Sequence, residues 1–344
     1  MSVEQIWEQA LKGSHWLVER QNPDGSWIGL RDPQVDAFYK GSWPLLLTGQ
    51  PAAAHRLLTY ARQHFMTADG DFVPRRHPWH TTVHYVYANV YFIVGAMMAG
   101  RYDVAMPGLR FLRNQQDPDH GGIYSRRVEA GQKTFCDTMS AGAAGVAFLA
   151  GGQLDAARRV ADFLAHIVAL QPAPEERFYI TLEADGRLGT EFSEDEATWR
   201  VIETQSPDQC WYALGLPFTF FIQMAEAAEK GSAAEARYRD LAHWYLDFQR
   251  RCVNPWDGGS SGKAGWGSAV LYRITGEKQY RDIALHVANM IAAKQAADGG
   301  WASTGGAYGE VGEQELTNAD FDVTSEFTLW LALIAANLMA RDGA

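Results

Sequence analysis

One pattern returns along this chain at fixed offsets. Between Lys12 and Trp27 an amphipathic segment carries Trp16 and Leu17, then Gln21, then Gly25 and Trp27 on a tight turn. Ile291, Gln295, Gly299 and Trp301 repeat the spacing towards the other end. Phe111, Leu112, Gln116, Gly121 and Gly122 form a looser middle copy. Recurrence of this kind specifies a repeat architecture, in which each unit buries its apolar face against its neighbours. That answers a problem of size. The chain has 344 residues, more than one core usually serves, and two domains would be the simple expectation. A closed ring of helical hairpins avoids the split.

Hydrophobic periodicity predicts two alternating kinds of helix. The first is charged on one face, at about 3–22, 52–68, 102–117, 153–170, 232–252 and 277–296. In the last of these, Ile283, Val287, Met290 and Ile291 recur at helical spacing while Arg281, Asp282 and Lys294 stay polar. The second kind is apolar nearly all round, at about 35–49, 82–99, 136–150, 208–227, 262–276 and 322–341. A helix apolar on every side is buried on every side. Gly-rich loops join the members, and a glycine such as Gly49 or Gly276 ends an inner helix. Glu176–Leu182 alternates as a short hairpin would, inside the longest irregular insertion, about 172–206. No linker divides the chain. The expected fold is all-α: one (α/α)6 toroid over residues 1–344, six inner helices inside six outer ones.

The first copy, KGSHWLVERQNPDGSW, resembles the QW repeat of the terpenoid cyclase and protein prenyltransferase superfamily. Lys12, Gly13, Trp16, Leu17, Gln21, Gly25 and Trp27 all fit that pattern, and the ring covers nearly the whole chain. The resemblance implies a toroid with a central cavity, and Gln and Trp that lock turns rather than touch substrate. Thr134-Phe-Cys-Asp137-Thr138 is similar to the end of the DxDDTA motif of class II cyclases, but the proton-donating Asp falls on Cys136. A thiol cannot protonate an alkene, so squalene-type cyclisation is not implied. Cys136 would instead serve as a nucleophile or acid/base partner if a neighbour such as His84 lowered its pKa; otherwise it is a small buried core thiol. Asp208-Gln-Cys210 resembles the zinc-ligating segment of prenyltransferase subunits. The third ligand is missing, since His243 and His286 fall on outer helices, and a catalytic zinc needs three. No metal and no cofactor is therefore expected. Ring shape alone is similar to the linalool dehydratase-isomerases, with Asp36, His84 and Cys136 on the first three inner helices.

In such a ring the inner helices start at one rim, and convergent polar groups there define the candidate site. The catalytic candidates are Asp36, His84, Cys136, Asp137, Asp208 and Glu326. The substrate-binding candidates are Tyr39, Trp43, His80, Tyr87, Cys210, Trp211, Trp266, Asp322 and Trp330. His80 and His84 sit at i,i+4, as do Asp322 and Glu326, which places each pair on one helix face. Any single Asp at a helix start is equally explained as an N-cap.

The expected function is acid/base cyclisation, isomerisation or dehydration of a hydrophobic small molecule, terpenoid or polyene. The alternative is a carbohydrate-active enzyme of the sugar epimerase or unsaturated-uronide hydrolase type, for which the 12 tryptophans and the acidic rim speak. A binding ring without catalysis is the third possibility. A net charge of −11 without a basic stripe argues against nucleic acid as partner. The start MSVEQIWEQALKG is acidic and amphipathic, unlike a signal peptide. No run of about 18 apolar residues is evident, so no membrane span is expected. Three cysteines fit free thiols in a reducing cytoplasm. The oligomeric state is open.

Overall fold

A computed structural model describes residues 1–30, 32–302 and 316–343. The helices are α1 (Val3–Glu19), α2 (Val35–Phe38), α3 (Ser42–Leu47), α4 (Pro51–His64), α5 (Pro78–Thr82), α6 (Tyr87–Met98), α7 (Tyr102–Asn114) and α8 (Thr138–Ala150). They continue with α9 (Leu154–Ala169), α10 (Glu194–Arg200), α11 (Tyr212–Ala227), α12 (Ala233–Arg251), α13 (Gly262–Thr275), α14 (Lys278–Ala292) and α15 (Asn318–Asp342). The inner ring runs α2/α3, α6, α8, α11, α13, α15, and α15 returns to α2 and α3. The helices α4, α7, α9, α12 and α14 back the first five inner members. The sixth outer place belongs to α1, which packs on α15 and α14. This is the expected (α/α)6 toroid, and the two helix kinds separate as their periodicity requires. In α8 every residue from Thr138 to Phe148 is buried, whereas α14 buries only Tyr280, Ala284, Val287, Ala288 and Ile291.

Three details depart from the sequence reading. The first inner helix is broken at Tyr39–Gly41, because Pro44 has no N–H to return to the Lys40 carbonyl. Glu176–Leu182 is no hairpin: β2 (Arg177–Tyr179) pairs with β4 (Val201–Glu203), and β3 (Thr181–Leu182) pairs with β1 (Cys136–Asp137). The last inner helix begins at Asn318, where Thr317 and Asp320 form a capping box, and it is long and apolar enough to cross a membrane by composition. Here its apolar sides face α1, α13 and α2 instead.

The recurrent turns are clasps between successive outer helices. Gln21 Nε2 donates to the Ala53 carbonyl at 3.0 Å, Gln116 Nε2 to Ala156 at 3.1 Å, and Gln295 Nε2 to Gln9 at 2.9 Å. Each glutamine thus reaches the next outer helix. Trp27 and Trp301 are buried, and their indole N–H groups donate to the Ala37 and Ile291 carbonyls at 2.8 and 2.9 Å. Gly25, at φ +95°, lies so close to α4 that an added Cβ would stand 2.2 Å from the Arg56 carbonyl oxygen. Gly25→Ala should therefore cost about 2–4 kcal/mol, combining left-handed strain with a backbone clash. Gly49 has φ +78° and open space around it. Gly49→Ala should cost only about 1 kcal/mol, the strain alone. Equal losses for both variants in urea denaturation would refute the clasp.

Candidate active site

All six inner helices deliver side chains to one cavity of about 410 Å³ at the rim where those helices begin. Tyr39 and Lys40 come from the α2–α3 break, and His77, His80, His84 and Tyr87 from the stretch before α6. Met139 comes from α8, Asp208, Cys210 and Tyr212 from the start of α11, and Ser260 and Lys263 from the start of α13. Asp322, Glu326 and Phe327 come from α15. A buried network anchors the histidine stretch. The Asp71 carboxylate accepts from Arg75 at 2.7 Å, the Tyr85 hydroxyl at 2.7 Å, Asn89 at 3.0 Å and Arg127 at 2.8 Å.

Two of the cavity histidines are backed by carboxylates. His80 Nδ1 lies 2.6 Å from Asp36 Oδ1, and both side chains are nearly inaccessible. His84 Nδ1 lies 3.0 Å from Asp137 Oδ1. Asp137 also accepts from the Ser140 amide and hydroxyl, each at 2.7 Å, and bonds the Ser125 hydroxyl. It is at once the N-cap of α8 and the partner of a cavity histidine, so both readings of this aspartate apply. His84 and Asp208 both hold left-handed backbone, with φ of 53° and 51°. Strained non-glycine residues of this kind gather at functional sites. The expected shared helix face for His80 and His84 is not formed, because α5 ends at Thr82 and α6 starts at Tyr87. They reach the same cavity from a turn.

Burial would push the Asp36 and Asp137 carboxyls up, but their histidine partners and further hydrogen bonds outweigh it, and both lie below the usual carboxylate range. Each is thus a carboxylate at neutral pH. Each accepts from the Nδ1–H of its imidazole and so favours the tautomer protonated there. Burial pushes His80 and His77 below the ordinary histidine value of 6.5, despite Asp36 pulling both upward. The sign follows from linkage. Below pH 6.5 the unfolded chain binds more protons than the folded one, so this contribution is complete above that pH and is lost as pH falls. The melting temperature should therefore drop between about pH 7 and pH 5. His80→Gln should flatten that slope, and an unchanged slope would contradict the burial argument.

The third element is a four-charge cluster. Lys40 Nζ lies 2.8 Å from Asp322 and also bonds Glu326; Lys263 bonds the other Glu326 oxygen. Both lysine side chains are 3% exposed. Trp330 Nε1 donates to Glu326 at 3.0 Å. Burial would raise Glu326, but Lys263 and Lys40 hold its carboxyl far below the usual range. Burial, with Lys40 nearby, pushes the Lys263 ammonium below ordinary lysine, although Glu326 opposes this. Burial opposes Lys40 as well, yet its two carboxylates win and hold it above the ordinary value. Burial and Glu326 raise Asp322 against the pull of Lys40.

Other candidates lie elsewhere. Trp43, Trp266 and Trp330 do not line the cavity; Trp43 meets Trp266 edge-on at 5.6 Å between centroids, and Trp266 stacks on Trp330 at 6.0 Å. Trp211 is buried against Gly258. Cys136 is also off the cavity. It is adjacent to Asp137 in β1, so the two side chains point to opposite faces, and Cys136 faces Gly122. Burial pushes its thiol well above the ordinary value, the reverse of the activation that a neighbouring His84 would have given. The Cys210 thiol reaches the cavity, accepts from the Tyr212 hydroxyl at 2.8 Å and donates to the Thr198 carbonyl at 3.0 Å. Burial lifts it to about 11. Among the described residues no three His, Cys, Asp or Glu side chains gather as a metal would require. Lys40, His77, Tyr212 and Phe327 were not among the candidates. Lys40 had a visible signal, a lone charge inside the apolar run AFYKGSWPLLL.

Fold and site together define a helical toroid with a rim cavity lined by histidine, lysine, carboxylate and tyrosine side chains. No family model matches the chain, and no curated protein does. Solved structures do. A D-mannose isomerase superposes with a TM-score of 0.68 at 12% identity, over 96% of this chain and 98% of that one. A family 76 α-mannanase from Bacteroides thetaiotaomicron gives 0.61 at 13%, over 98% and 96%. A type II terpene cyclase from Scytonema gives 0.58 at 13%, over 98% of both chains. At such identities the likeness is one of fold, and these toroids carry different chemistries.

Proposed function

We propose that this protein is an acid/base isomerase or epimerase acting on a small hydroxylated carbonyl compound, of the aldose or ketose class. One observation carries the reading. The cavity wall brings imidazole, ammonium, carboxylate and phenol groups together beside Met139, Val323 and Phe327, and among the described residues no tryptophan lines it. A carbocation cascade calls for an apolar aromatic lining; a polyol calls for many fixed hydrogen-bonding groups. The substrate class therefore moves from the polyene expected from the repeat to the carbohydrate alternative. His80 and His84 each have Nδ1 held by a carboxylate, the arrangement that orients an imidazole as a general base. The cationic side of the wall, headed by Lys40, supports the negative charge that develops when a proton leaves the carbon beside the carbonyl.

A cyclase reading keeps one support, the rings of Tyr39, Tyr87, Tyr212 and Phe327 at the cavity. Incubation in deuterium oxide separates the two. Aldoses and ketoses should gain deuterium at the carbon beside the carbonyl, as read by mass spectrometry. No exchange into any such sugar, together with turnover of isoprenoid alcohols, would replace the isomerase reading by the cyclase one.

A further inference from the structure

We infer that Lys263 is a covalent carbonyl site, forming an imine with an open-chain aldehyde or ketone in the cavity. The inference rests on the reading that the cavity admits a carbonyl compound, but not on the roles of the two histidines. Lys263 is singled out by its surroundings. The chain has seven lysines. Lys12, Lys133, Lys230, Lys278 and Lys294 are exposed, and only Lys40 and Lys263 are buried. Lys40 is clamped by two carboxylates, whereas Lys263 shares one, Glu326, with Lys40. The Lys263 ammonium lies over Trp330 at 5.0 Å, Tyr87 at 5.8 Å and Tyr212 at 5.9 Å, and it belongs to the cavity wall. A buried amine beside a second cation and an aromatic wall loses its proton more readily than a solvated one, which makes it the better nucleophile. The depressed Lys263 value agrees with this placement.

The step balances without a further reagent. The ammonium passes one proton to Glu326, and the neutral amine attacks the carbonyl carbon. An N–C bond forms while the C–O π pair moves to oxygen. The second N–H proton moves to that oxygen. The hydroxyl then takes the proton held on Glu326 and leaves as water, and the nitrogen lone pair closes the C=N bond. The product is a protonated imine plus water, with no net proton gained or lost. As an electron sink it acidifies the neighbouring C–H, which is the proton a nearby imidazole would remove.

The test is reductive trapping. The whole protein is incubated with glycolaldehyde and cyanoborohydride at neutral pH, and its peptides are mapped by mass. Lys263 should carry about tenfold more adduct than the average exposed lysine. Lys263→Arg, which keeps the charge but forms no stable imine, should lose that adduct with its melting temperature near wild type. Lys40→Arg should keep it. Labelling spread over the exposed lysines in wild type would overturn the assignment, and that result does not depend on whether a variant folds. Deuterium exchange without the adduct would leave the isomerase standing and remove the imine. Adduct without exchange would do the reverse.

Discussion

Glu326→Gln should destabilise the fold by about 3–5 kcal/mol, more than any other neutral replacement in the cavity wall. Among the described residues Glu326 is the one carboxylate shared by both buried ammoniums, one on each oxygen. Its loss leaves Lys40 with Asp322 but strands Lys263, which has no second carboxylate within ion-pair distance among the described residues. A stranded buried charge costs its desolvation in full, or the lysine gives up its proton and the contact is lost anyway. Asp322→Asn should cost less, because Glu326 still answers both lysines. Adding Lys263→Met to Glu326→Gln should restore part of the loss, since the orphaned group is then gone. Chemical denaturation of wild type, Glu326→Gln, Lys263→Met and the double variant forms the cycle. A Glu326→Gln protein within about 1 kcal/mol of wild type would show that the cluster is solvated rather than buried.

His80→Gln should lower the exchange rate by about 10²–10⁴-fold while the melting temperature near neutral pH stays close to wild type. Asp36 touches the imidazole rather than the cavity, so it is a positioning residue, and its variant needs a different readout. The Asp36 hydrogen bond and charge raise His80 against the effect of burial. Asp36→Asn should therefore move the acid limb of kcat/KM to lower pH as well as lower its plateau. A plateau loss with an unmoved limb would mean that Asp36 merely supports the local backbone. His84→Gln and Asp137→Asn form the matching pair, but Asp137 also caps α8, so its variant should lose stability too, by about 1 kcal/mol.

The ring was legible because it depends on patterns that span many residues. Outer helices repeat apolar residues on one stripe, inner ones on all sides, and the observed boundaries fall within a few positions of those expected. The site was legible only in part. Inner-helix starts pointed to the correct rim, and eight of the candidates — Tyr39, His80, His84, Tyr87, Asp208, Cys210, Asp322 and Glu326 — line the cavity. What failed was the direction of individual side chains. Cys136 and Asp137 are neighbours in sequence, but a two-residue strand sends them to opposite faces, and its partner Thr181–Leu182 lies in the insertion, too far along the chain to foresee. The tryptophans were assigned to the cavity from their place one turn into the inner helices. In the ring none of them lines it. Lys40 was passed over because a helix was read straight through the break that turns it inward.

The closure of α1 on α15 bears on how the molecule is made. α1 leaves the ribosome long before its partner α15, so closing the ring joins distant parts of the chain and should slow assembly for a helical protein. The same late helix brings Asp322 and Glu326. Until it arrives, a nascent ring holds two lysine ammoniums facing each other without counter-ions, and a partial toroid has no comfortable resting state. Closing the circle and neutralising its centre are thus one event, which selects against a stable half-built cup.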